Sequence, residues 1–180
     1  MPEHYSIYEH KHRFAAWAAG RAASVIGCRF SVEQARAIIQ SVGLHRLLVG
    51  PERLPEPHAV DAMHAEWRKV AIERAATFKV RFTHGIAAKL INVYLKAAFV
   101  CGGHHDDERV AALHPPIDGL LLDALAKGNL GGQRNAWRRA RGLRWSHLNS
   151  KQYQEVIDAI RVALDGEPLW RIEEHWRGYQ

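Results

Sequence analysis

Between Gly85 and Phe99 the chain sets Ile86, Ala87, Ala88, Leu90, Ile91, Val93, Tyr94, Leu95 and Ala98 nearly all round a helical wheel. A helix that is apolar on every side has to be enclosed by other elements. The rest of the chain must therefore supply surfaces that wrap a central helix, and its periodicity is helical throughout. Apolar residues recur at three and four, and no two-residue alternation is long enough to require a sheet.

The spacing predicts a first helix over about Tyr8 to Val25, with Phe14, Trp17, Ala18, Arg21 by its stem, Ala22 and Val25 facing inward. Ala15, Ala16, Ala19 and Ala23 leave room for a neighbouring helix to approach closely. Ser31 is placed to cap a short second helix that ends at Gly43. Gly50 to Pro57 reads as a loop, and Pro57 suits the first turn of a third helix running to about Phe78, with Val60, Met63, Trp67, Val70, Ile72 and Ala75 apolar. Thr83 caps the central helix, and Gly102 and Gly103 stop it. Pro115 and Pro116 lead into a leucine-rich helix ending near Gly128. A basic helix over Gln133 to Arg141 follows, then one capped at Asn149 or Ser150 through Leu164, and a last one from Pro168. The expectation is an all-α, compact multi-helix domain over 1–180, with a division into lobes 1–80 and 81–180 as the alternative.

A chain of 180 residues that is 47% hydrophobic and contains six Trp has the material for a packed core. Two cysteines, Cys28 and Cys101, are too few for a disulfide scaffold and read as reduced structural thiols. No apolar run approaches the roughly 18 residues of a membrane span, and the start, with Glu3 and His4, does not read as a leader. The expected setting is the cytoplasm, without a membrane partner. The net charge of +6 favours polyanionic partners. Its distribution says more: from Ala124 to Gln154 there is no Asp or Glu, while Lys127, Arg134, Arg138, Arg139, Arg141, Arg144 and Lys151 all fall there. P-loop, G-x-G-x-x-G and G-x-S-x-G patterns are missing, so neither a nucleotide cofactor nor any other is expected.

Lys89 sits in the first turns of the central helix. Desolvation and the positive end of the helix dipole both lower the pKa of an amine placed there, and a neutral amine can attack a sugar carbon and form a Schiff base. The alternative is that Lys89 lays its stem along the helix and reaches solvent. Lys96, two turns on, should be ordinary by the same reasoning. Asp118 follows a proline-stiffened approach and stands at a helix start, where a carboxylate stays ionised and can stabilise cationic sugar character or orient a water. The alternative is that it only caps.

Gly85-Ile-Ala-Ala-Lys89, the apolar helix after it, and Pro116-Ile-Asp118 resemble the core of the helix-hairpin-helix DNA glycosylases, in particular the 8-oxoguanine glycosylase branch. The resemblance covers Thr83 to Leu164, and Trp145-Ser146 with Tyr153 and Ile157 resembles a C-terminal element of bacterial proteins of that fold. It implies that Lys89 is the nucleophile and Asp118 the catalytic carboxylate of a base-excising glycosylase and abasic-site lyase. The family has a second glycine where Ala87 stands, in a hairpin whose carbonyls hold a monovalent cation near a DNA phosphate. Its Lys-to-Asp separation is also shorter, by about the Gly102 to Ala112 loop.

Arg134, Arg138 and Arg141 are three or four apart on one helical side, and with Arg139, Arg144 and Lys151 they fit contacts to nucleic-acid phosphates, DNA being the expected partner. Trp137 and Trp145 are interleaved with them as candidate stacking platforms for a base, with His114 as a further pocket candidate. The alternative is a solvated basic face over core tryptophans. His104, His105, Asp106, Asp107, Glu108 and His114 have no metal-ligand spacing, so no metal is expected. The leading expectation is a DNA-binding base-excision enzyme, with a non-catalytic nucleic-acid or protein-interaction module on the same scaffold as its rival.

Overall fold

The structure is a computed structural model describing residues 5–179. It is all-α. The helices are α1 (Ile7–Ala23), α2 (Val32–Val42), α3 (Val60–Thr77), α4 (His84–Leu95), α5 (Glu108–Ala111), α6 (Gly119–Gly128), α7 (Arg134–Leu143) and α8 (Ser150–Leu164). Short 3-10 turns link several of them, and a 3-10 segment, Leu169–His175, follows α8. One isolated β-bridge, Val25 with Cys28, is the only strand-like pairing among the described residues.

The expected caps do their work. Ser31 and Asn149 each close a capping box, with Gln34 and Gln152 reaching back to the cap N–H. Thr83 accepts from the Ile86 N–H, and Gly43 ends α2 at φ 86°. α4 runs on as a π-helical stretch, Lys96–His104, with Gly103 at φ 89°. Together they form a 21-residue stretch, His84–His104, long and apolar enough by composition to cross a membrane, most of it buried inside the fold. The expected stop at Gly102 and Gly103 agrees with the left-handed backbone of Gly103, while the count of unbroken apolar runs passed over this stretch because Lys89, Asn92 and Lys96 interrupt it.

α4 is the axis of the molecule. One hydrophobic cluster gathers α1, α2, α3 and α5 around Ile86, Leu90, Ile91, Tyr94 and Leu95; a second joins α6, α7, α8 and the Leu169–His175 segment on Ala88. The chain crosses from the first to the second between Leu113 and Ile117, and Trp145 packs against both.

α1 faces the other way from its expected orientation. Ala15, Ala16, Ala19 and Ala23 are buried, while Phe14 is 58% and Trp17 50% exposed. The small residues let α1 lie close against α2 and α4. A Cβ on Gly20 would stand 2.9 Å from the Ala35 Cβ, so backbone proximity wins over side-chain bulk on this face. In α3, likewise, His64 and Arg68 are buried where Met63 and Val70 were expected, and both of those are partly exposed.

Candidate active site

Two elements bring Lys89 and Asp118 together. Lys89 lies on the second turn of α4, almost wholly buried, and one turn on is Asn92. The Asn92 amide donates to the Pro115 carbonyl at 2.9 Å and to the Tyr153 hydroxyl at 2.9 Å, while its oxygen faces His64 Nε2 at 2.7 Å. This clamps the Pro115-Pro116 approach against α4, and Asp118, at the end of that approach, meets Lys89. Lys89 Nζ donates to Asp118 Oδ2 at 3.1 Å. The other oxygen, Oδ1, accepts from the Leu121 N–H at 2.9 Å, so Asp118 also caps α6. Capping and facing Lys89, weighed as alternatives from the sequence, are both true of this one carboxylate.

The pair lines a pocket of about 250 Å³. Ala18 and Ala22 of α1, Val93, Ala97 and Pro116 supply apolar walls, and Cys101 stands at its edge. Three further polar side chains face it that the sequence reading did not assign. Trp176 donates its indole N–H to Asp118 Oδ2 at 3.0 Å, and Lys96 forms an ion pair with Glu173. The sequence set Lys96 apart from Lys89 only as a contrast and gave it no place in the site. Seven residues after Lys89 it falls on the same helix face and opens into the same pocket. Glu173 could not have been found from the sequence, because only the return of the C-terminal segment over α4 brings it there.

Burial lowers the pKa of Lys89 from its ordinary 10.5, and the Asp118 carboxylate only partly restores it. Burial likewise raises that of Glu173, against the pull of Lys96. The ammonium of Lys89 also lies 5.5 Å from the Trp145 ring centroid.

The start of α4 is covered by the protein itself. The Gly85 N–H donates to the Leu148 carbonyl at 3.1 Å and Thr83 Oγ1 to the Ser146 carbonyl at 2.8 Å. A Cβ on Gly85 would stand 1.8 Å from the Trp145 carbonyl oxygen. The glycine is thus required for the close approach of the Trp145–His147 turn.

Comparison with known protein families, curated proteins and solved structures finds no match.

The remaining candidates divide. Trp137 is completely buried and donates its N–H to the Leu130 carbonyl at 3.0 Å, which leaves no face for a base. His114 is not at the pocket either. It is buried behind Asn92, with Nδ1 3.1 Å from the Tyr153 hydroxyl and Nε2 2.8 Å from Asp61, whose carboxylate also receives Arg161. Both residues are core members: for Trp137 this is the core-tryptophan alternative weighed from the sequence, while the partners that hold His114, Asp61 and Tyr153, lie far from it along the chain.

Of the cations, Arg134 donates to the Ala126 carbonyl, Arg139 lies 3.8 Å from Glu155, and Arg141 pairs with Asp123 at 2.9 Å. The Arg141 guanidinium also packs over Gly119, next to Asp118. Arg138, Arg144 and Lys151 are exposed and make no ion pair or side-chain hydrogen bond among the described residues. Arg144 sits at φ 63°, ψ 124°, a conformation costly for a residue with a Cβ, at the corner between α7 and the turn over Lys89. No three His, Cys, Asp or Glu side chains converge on a metal position among the described residues.

Proposed function

We propose that this chain binds DNA and excises a base, acting as a glycosylase and abasic-site lyase through Lys89. The observation that carries the reading is the 3.1 Å approach of Lys89 Nζ to Asp118 Oδ2 on the wall of one pocket. Lys89 passes a proton to Asp118 and attacks C1′ of an extruded nucleotide. The C1′–N bond breaks with its electron pair on the departing base, which takes the proton from Asp118. The new secondary ammonium then passes a proton through Asp118 to the ring oxygen as the C1′–O4′ bond breaks, and the nitrogen lone pair forms the C1′=N bond of a protonated Schiff base on Lys89. Extrusion costs a few kcal/mol, least for a damaged or mispaired base, and that difference is a source of selectivity. Arg138, Arg144 and Lys151 take the phosphates, with Arg141 fixed between α6 and α7 beside the pocket.

Borohydride reduction in the presence of a duplex with an aldehydic abasic site is the test. Wild type is expected to give a covalent protein–DNA adduct, and Lys89→Met to give none. Absence of an adduct with wild type on abasic and 8-oxoguanine duplexes removes the assignment.

The protein-covered start of α4 favours a second reading, a nucleic-acid-binding module without chemistry, since the Gly85 N–H is already spent on Leu148. On that reading Lys89→Met and Asp118→Asn bind DNA as wild type does. On either reading Arg138→Ala and Arg144→Ala each weaken binding and shallow the salt dependence by about one unit of slope.

A further inference from the structure

The pocket holds a second lysine–carboxylate pair that the chemistry proposed for Lys89 leaves without a task. Lys96 and Glu173 reach it from separate elements, the π-helical continuation of α4 and the C-terminal segment. Beside them the indole of Trp176 forms a flat wall, 5.9 Å from the Lys96 ammonium to the ring centroid and tied to Asp118 by its N–H. Side-chain exposure is 33% for Lys96 and 16% for Glu173, so each still has a side open to an occupant.

From this juxtaposition we infer that Lys96, Glu173 and Trp176 are the recognition end of the pocket, and that its ligand is a single flat heterocycle carrying a carbonyl oxygen next to a ring N–H. The inference rests on the base-excision reading only for the source of that heterocycle. Three constraints lead to it. The pocket, at about 250 Å³, is smaller than the roughly 300–1,000 Å³ of sites for drug-sized ligands, which limits the occupant to one compact ring system. An ammonium only donates and a carboxylate only accepts. An occupant that inserts between them without stranding either must therefore offer an acceptor and a donor side by side, and a lactam edge is the simplest group that does. An aromatic wall next to that edge selects a planar ligand, which gains a stacking face at no cost to its in-plane hydrogen bonds.

The same constraint gives specificity. An analogue in which the ring N–H is methylated removes the donor for Glu173 and puts a methyl against a carboxylate. A site built around that hydrogen bond discriminates strongly against an analogue that lacks it.

The experiment uses free hypoxanthine and 1-methylhypoxanthine as probes, read by the indole N–H resonance of Trp176 in the full-length protein and assigned by Trp176→Phe. Hypoxanthine is expected to shift that resonance saturably, with 1-methylhypoxanthine at least ~10-fold weaker. The double variant Lys96→Met with Glu173→Leu removes both members, so no charge is left unpaired and the fold is retained. It is expected to abolish the difference between the two probes. An unmoved Trp176 resonance, equal binding of both probes, or undiminished discrimination in the double variant overturns the inference. Borohydride trapping on an abasic duplex needs no base in the pocket. Failure there removes the glycosylase reading and leaves the heterocycle site standing or falling on the probe titration.

Discussion

At the scale of single residues, the Lys89–Asp118 pair ties stability to pH in a way that separates a buried ion pair from a solvated one. In Asp118→Asn the amide oxygen still caps the Leu121 N–H, but Lys89, 7% exposed, loses its counter-charge. Breaking a buried pair from one side costs about 3–5 kcal/mol when the remaining charge must stay ionised, and Lys89 can escape part of that by releasing its proton. Its folded pKa already lies below the ordinary 10.5 through burial, and loss of Asp118 drives it lower. From that folded value up to 10.5 the unfolded chain holds more protons than the folded one, so stability rises with pH over that window. Urea unfolding of Asp118→Asn is expected to show a deficit at pH 7 that narrows by pH 9.5. A deficit that stays constant would mean that Lys89 finds solvent. The residue types of this pair were legible in the sequence, since a lysine early in an apolar helix and a carboxylate after two prolines stand out. Glu173, Trp176 and the link through Asn92 were not, because each acts across the fold, where no local pattern records it.

Among the elements, the turn Trp145–His147 decides how the start of α4 is finished. It lies so close to Gly85 that any side chain there must displace backbone rather than the tip of a flexible group. Gly85→Ala is expected to push the turn away, break the Gly85–Leu148 and Thr83–Ser146 hydrogen bonds, and destabilise the protein by about 3 kcal/mol. Gly142, in the last turn of α7, is the control. A Cβ there meets nothing within 4 Å, so Gly142→Ala should gain about 0.5 kcal/mol from helix propensity and the reduced freedom of the unfolded chain. Chemical denaturation of the two variants checks both, and equal effects would refute the close approach. Helix ends were the most legible elements, because caps such as Ser31, Thr83 and Asn149 act within a few residues of themselves. The inward face of α1 was misread for the opposite reason. Size and hydrophobicity alone put Phe14 and Trp17 inside, but along Ala15–Ala23 the packing against α2 and α4 is filled by alanine and glycine, and the one larger buried side chain of α1, His12, is held by Tyr94 and Gln40. In α3, His64 and Arg68 are buried against an aromatic ring: His64 stacks on Tyr153 at an interplanar angle of 9° and donates to Asn92, and the Arg68 guanidinium lies 4.4 Å from the same ring centroid and donates to Ser150.

For the whole molecule, that network threads a polar seam through an otherwise apolar core and sets how the protein responds to acid. The Tyr153 hydroxyl accepts from Asn92 and donates to His114 Nδ1, which assigns the proton of neutral His114 to Nε2, facing Asp61. His64 must carry its proton on Nε2 as well, since the Asn92 oxygen can only accept. Burial holds His12, His64 and His114 below the ordinary 6.5, and half-buried His45 and His84 shift the same way. These groups are neutral in the fold at pH 7 and gain protons more readily once unfolded. As pH falls from 6.5 toward their folded values, the unfolded chain takes up protons that the folded one refuses, and stability declines by up to about 1.4 kcal/mol per pH unit for each fully refused proton. Asp61, held far below the usual carboxylate range first by His114 and then by Arg161, adds its own loss only below 3.8. The expected profile is therefore a fall in the urea midpoint between pH 6.5 and 5, above the range where carboxylates protonate. Unfolding in weakly buffered solution at pH 5.5 should raise the pH as protons are bound. A midpoint that stays flat to pH 4.5, or unfolding at pH 5.5 without proton uptake, would mean that these histidines are already charged inside the fold. The Asn92 link that sets Pro115, and through it Asp118 against Lys89, would then be built on different tautomers from those the hydrogen bonds require.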